Sequence, residues 1–172
     1  MLTDSGYTPY RYTRPPGIYR LKEGLAIAIL SQRDADKIKQ ALDALAAPVK
    51  LLLFTAGDGG QECETCDDAR NLFTEVAALS DKVTLEEHQL DGSDGLAGRF
   101  NIDKVPALVL TPADGKDTGI RFYGLPVGYE FATLLEDLSD VAKGKTRLSD
   151  ETRTAIAGLT SPVRIQVFVT PT

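Results

Sequence analysis

Cys63 and Cys66 are the only cysteines in a chain of 172 residues, and two residues separate them. Two thiols at that spacing can do three kinds of chemistry. They can open and close as a disulfide in exchange with other thiols, supply half of a zinc site, or close a small structural loop. Zinc wants four Cys or His ligands. The chain adds one histidine, His88, in a polar segment that leads us to expect a solvated ring. A zinc site would need a second copy to complete it. A loop this short gains little from a cross-link. Exchange chemistry is the leading expectation, with Cys63 and Cys66 as catalytic candidates and neither metal nor cofactor.

Exchange needs one accessible thiolate and one partner within reach. An apolar run, Val49–Thr55, precedes the pair, and a helical pattern from Cys66 to Leu79 follows it. A helix N-terminus favours a thiolate through its dipole and free N–H groups. Cys63, at or before the helix start, is the expected nucleophile. Cys66, one turn in and more buried, is the expected resolving thiol. Asp58, Glu62, Glu64, Asp67 and Asp68 crowd residues 57–68 without a base. Negative charge disfavours a thiolate, so a reducing couple is expected. A solvated loop and helix start would carry such acids too.

The elements around the site follow from periodicity. Ile38, Ala41, Leu42 and Leu45 mark a helix over 34–46, capped by Ser31 or Asp34 and ended by Pro48. Val49–Thr55 is nearly all apolar and predicts a central strand buried on both faces. Ala69, Leu72, Phe73, Val76 and Ala77 form the inner face of the second helix. A polar strand, 83–90, belongs near a sheet edge. A short helix over 96–100 precedes a strand at 107–110, opened by Val105-Pro106. Residues 119–123 pair back as a hairpin. Phe131, Leu134, Leu135, Leu138 and Val141 mark a closing helix. The order predicts an α/β fold, a small mixed sheet with helices on both faces. A proline opening a strand is also a candidate for a cis bond.

Composition narrows the function classes. Apolar residues make up 42% and charged residues 26%, enough for a core in about one domain. The net charge of −6 argues against a nucleic-acid partner. No apolar run approaches a membrane span of about 20 residues, and Leu25–Leu30 is too short for a signal-peptide core. No membrane partner and a cytoplasmic location are expected. Residues 1–30 carry tyrosines among prolines and glycines without a period, and are expected to form an irregular arm.

The chain also repeats itself at a displacement of 114 residues. Asp36, Ala41, Leu45, Pro48, Val49 and Phe54 fall on Asp150, Ala155, Leu159, Pro162, Val163 and Phe168. Ser149–Gly158 therefore predicts a copy of the first helix, and Val163–Thr170 a copy of the central strand. Residues 31–145 are expected to form one complete unit and 146–172 the start of a second, incomplete one. An unpaired apolar strand of this kind is a dimerisation surface.

Strand, CxxC, helix, then Val-Pro at a strand start resembles the thioredoxin fold. Gly115-Lys116-Asp117, Gly124-Leu125-Pro126-Val127-Gly128-Tyr129-Glu130-Phe131 and the ending Val167-Phe168-Val169-Thr170-Pro171-Thr172 narrow the likeness. From Ser31 onward the chain is similar to the glutaredoxin-like protein disulfide oxidoreductases of thermophilic archaea and bacteria. That family consists of two tandem thioredoxin-fold units, each with a CxxC. The resemblance implies a thiol–disulfide oxidoreductase acting on protein or peptide disulfides and recharged by a dithiol electron donor. It implies that Pro106 is the cis-proline beside the dithiol. It also implies that the backbone of Val105 pairs with an extended substrate, a strand-addition mode. The alternative is a non-catalytic thioredoxin-like module, a binding or packing platform with a sluggish dithiol.

Overall fold

A computed structural model describes residues 29–56, 63–92 and 94–169. The expected arm at 1–28, the acids Asp58 and Glu62, and residues 170–172 lie outside them.

The elements run α1 (Gln32–Asp43), β1 (Val49–Thr55), α2 (Cys66–Ala78), β2 (Val83–Gln89), α3 (Leu96–Arg99), β3 (Ala107–Pro112), β4 (Arg121–Tyr123), α4 (Tyr129–Lys143) and α5 (Asp150–Ala157). The four strands form one mixed sheet in the order β2-β1-β3-β4. β1 lies parallel to β2 and antiparallel to β3, in a register that sets Phe54 between His88 and Ala107. Its apolar sequence follows from this place, since a central strand covered on both faces has no solvated side. β2 is an edge strand, as its polar alternation predicts.

Two apolar clusters flank the sheet. One gathers Leu51, Leu53, Leu108 and Leu110 with Ile38 and Leu42 of α1, Leu72, Phe73 and Val76 of α2, and Leu134 and Leu138 of α4. The other gathers Leu52, Phe54 and Val109 with Ala97, Phe100, Ile102 and Ala107. Alternation along β1 splits its side chains between the two.

Local signals set the helix ends. Ser31 Oγ accepts the Asp34 N–H at 3.2 Å and caps α1. Gly144 closes α4 at φ +64°, a conformation that favours glycine, and its N–H bonds Val141. α1 stops at Asp43, before the expected Pro48, because Leu45 leaves the helical path to enter the core. Ala41 is exposed, since the buried stripe is only as wide as Ile38 and Leu42. Ile29 and Leu30, the last residues of the expected arm, are tied to the fold. The N–H groups of Ile29 and Leu30 donate to the Glu75 carboxylate at 2.6 and 3.0 Å, pinning this segment on α2.

The repeat is half reproduced. α5 ends at Ala157, where the displacement carries the end of α1, yet it buries no residue. The expected strand over 163–170 is absent: residues 163–169 are irregular and exposed. β1 owes its conformation to ladders on both sides, and among the described residues its copy has neither.

Candidate functional site

The dithiol lies where β1 hands over to α2. Cys63 and Cys66 are joined as a disulfide, with Cα atoms 5.5 Å apart. Cys66 is the first residue of α2, rather than one turn in, and Cys63 lies just ahead of the turn that starts the helix. Cys66 is 6% exposed, whereas Cys63 is half-buried. Cys66 is thus the deeper of the two. Thr65, the N-cap residue, makes no side-chain capping hydrogen bond, so among the described residues this end of α2 is uncapped. The first-turn N–H groups keep their partial positive charge for the sulfurs.

Val105 and Pro106 meet the same end of the sheet. Their peptide bond is cis and leads directly into β3, whose first residue, Ala107, pairs with Phe54. Pro106 is buried, and its carbonyl accepts the Gly124 N–H at 2.8 Å. Val105 is half-buried against the Phe54 cluster. Among the described residues, its own N–H and carbonyl have no hydrogen-bond partner.

A charged network beside α2 brings in a base, Arg70, just beyond the acidic stretch. Arg70, one turn after Cys66, forks onto Glu87 of β2 with Nε–Oε1 at 2.8 Å and Nε–Oε2 at 3.0 Å, and also pairs with Asp67. Glu87 accepts a further hydrogen bond at 3.0 Å from Thr55 Oγ1, at the end of β1. The Arg70 hydrogen bonds hold the Glu87 carboxyl below the usual carboxylate range against the opposing effect of burial. The guanidinium is held above its ordinary value by the same bonds. The spacing of Asp67 and Arg70, three apart on a helix, signals their pairing; only the β1–β2 register brings in Glu87.

His88 is not solvated as expected. Its side chain is 14% exposed, Nδ1 lies 2.9 Å from Asp94 Oδ2, and the ring packs 5.5 Å from that of Phe54. The turn leading into α3 brings Asp94 over β2, a long-range contact that strand periodicity does not report. Among the described residues no group of three His, Cys, Asp or Glu side chains could hold a metal ion. Nor is any helix among them long and apolar enough to cross a membrane.

Comparison with known proteins gives the same fold. No family model matches the chain. The alkyl hydroperoxide reductase protein AhpF of Escherichia coli (strain K12) is 34% identical over 99 residues, which are 58% of this chain and 16% of that protein. The structure of AhpF from Enterococcus faecalis superposes with a TM-score of 0.65 at 27% identity, covering 76% of this chain and 61% of that one. A protein disulfide oxidoreductase from Aeropyrum pernix superposes with a TM-score of 0.63 at 22% identity, covering 75% and 55%. The chain spans less than two thirds of the length of each. A disulfide at the start of α2 joins these likenesses to the sequence motifs: the chain has the thioredoxin fold, with a redox-type dithiol at the place the motifs indicate.

Proposed function

We propose that the protein exchanges disulfides with protein or peptide substrates, with Cys63 as nucleophile and Cys66 as resolving thiol. In the reducing direction the Cys63 thiolate attacks a substrate disulfide, forming a mixed disulfide and expelling one substrate thiolate. Cys66, as thiolate, attacks the Cys63 sulfur, expels the second thiolate and closes the Cys63–Cys66 bond. The substrate gains two electrons, which a dithiol donor restores to the pair. Val105 offers its backbone to an extended substrate segment beside Pro106. The observation that carries this is the unequal burial of the two cysteines at a helix N-terminus. A reducing cytoplasm is the compartment in which such a pair turns over.

Insulin reduction with dithiothreitol tests the proposal. Cys63→Ser should abolish the turnover above background, and Cys66→Ser should accumulate a mixed disulfide at Cys63. Turnover equal to that of the parent in Cys63→Ser would overturn it. A second reading has an observation of its own. Ile165, Val167 and Phe168 are at least 79% exposed beyond a helix that buries nothing. A packing platform, with 146–172 opening a second unit or pairing with another copy, would use that surface. The likeness to alkyl hydroperoxide reductases extends either role to a peroxide-reducing system, with this chain as its dithiol module.

A further inference from the structure

We propose that Arg70 and Glu87 are a positioning pair that sets the acidity of the dithiol, Arg70 supplying a cation and Glu87 limiting its reach. The proposal rests on the exchange function above. Cys66 and Arg70 are four residues apart in α2, so their side chains leave the same helix face with Cβ atoms about 5–6 Å apart. The guanidinium is not free to swing. Glu87 holds it from β2, Asp67 holds it from the preceding turn, and Thr55, 1% exposed, holds Glu87 in turn. The network spans the end of β1, the edge strand and the first turn of the dithiol helix.

Among the described residues, other charges lie around α2: Asp103 and Lys104 lead into the Val105-Pro106 bond, and Glu75, farther along α2, is engaged by the Ile29 and Leu30 N–H groups. Glu64, Asp67 and Asp68 belong to its N-terminal turn. Glu86 and His88 flank Glu87 but project from the opposite face of β2, where they meet Lys50 and Asp94. α1 brings Lys39 and Asp43 to the far end of α2, at Leu79 and Ser80. Within α2 itself Arg70 is the cation, and the carboxylates of Asp67 and Glu87 offset it.

Opposite signs follow for the two partners. Glu87→Gln keeps the shape, removes a negative charge and leaves Arg70 less compensated. The thiolate is then favoured. Arg70→Gln removes the cation and leaves Asp67 and Glu87 unopposed. The thiolate is then disfavoured. A merely structural clasp loses the same hydrogen bonds in both variants and shifts both the same way. The readout is the pH dependence of iodoacetamide alkylation of Cys63 in the full chain carrying Cys66→Ser. At pH 7 the rate should rise about threefold in Glu87→Gln and fall about threefold in Arg70→Gln, with the double variant near the parent. In the two-cysteine chain, glutathione midpoints should shift toward oxidising and reducing, respectively. Shifts in one direction, or changes under about 1.5-fold in both, overturn the pair. Should Arg70→Gln not fold, Arg70→Lys keeps the charge and should stay within about 1.5-fold; a larger change overturns it. Because alkylation needs no substrate, a chain with these shifts that fails to reduce insulin refutes the exchange function alone.

Discussion

Phe54 joins the central strand to the site, and replacing it tests how firmly the sheet supports that end. Its side chain is fully buried, with the His88 ring centroid 5.5 Å away and the Phe100 centroid 6.4 Å away. Phe54→Ala removes that ring from the cluster it forms with Leu52, Phe100, Ile102 and Val109. Such truncations cost about 3–5 kcal/mol, and the lost aromatic pairs belong to the upper part of that range. Against a usual domain stability of about 5–15 kcal/mol, that is a large fraction. With a urea slope near 2 kcal/mol/M, the midpoint should fall by about 2 M. Phe54→Leu keeps most of the apolar volume and should lose roughly 1–1.5 kcal/mol. Urea titration followed by far-ultraviolet circular dichroism measures both. A loss below about 1 kcal/mol in Phe54→Ala, with an unchanged slope, would refute a closed core beneath this end of the sheet.

The two serine caps should respond differently. Ser31→Ala should lower global stability by about 1 kcal/mol, whereas Ser149→Ala, which breaks the same kind of bond, should leave the urea midpoint in place because α5 buries nothing. Removing residues 149–172 should likewise spare the midpoint and reduce self-association in sedimentation velocity. Asp117 should show its ion pair in acid. Hydrogen bonds from Arg121 and Gly119 hold its carboxyl at about 2, below the ordinary 3.8. A depressed folded value means stability present above about pH 4 and lost as pH falls toward 2. With the side chain 41% exposed, solvent screening keeps this under about 1 kcal/mol. The deficit of Asp117→Asn at pH 6, by urea titration, should shrink to a small fraction at pH 2.

Much of the architecture was legible because each face of each element leaves its own period. The runs at Val49–Thr55 and Ala107–Leu110 could only be covered strands, and the spacing of Leu72, Phe73 and Val76 only a helix face. The cysteine pair was legible for the same reason, since strand, loop and helix fixed its place. What periodicity misses is a contact between distant segments. His88 looked polar and free until the Asp94 turn covered it. Arg70 lay just beyond the acidic stretch, and its partner Glu87 arrives from another strand. The copied strand failed for the converse reason: its pattern is that of β1, but a pattern alone does not provide neighbours.

The register of the sheet has a kinetic consequence. β1 completes its pairing only when β3 has been reached, far later in the sequence, with Val49 opposite Pro112. Non-local closure of this kind is slow. Throughout that interval the sites on β2 and β3 are open to any strand of similar character. The segment Val163-Arg164-Ile165-Gln166-Val167-Phe168-Val169, built on the pattern of Val49-Lys50-Leu51-Leu52-Leu53-Phe54-Thr55, is such a strand. The exposed tail is therefore a competitor for the centre of its own sheet, and refolding yield should depend on chain concentration as one molecule's tail reaches another's vacancy.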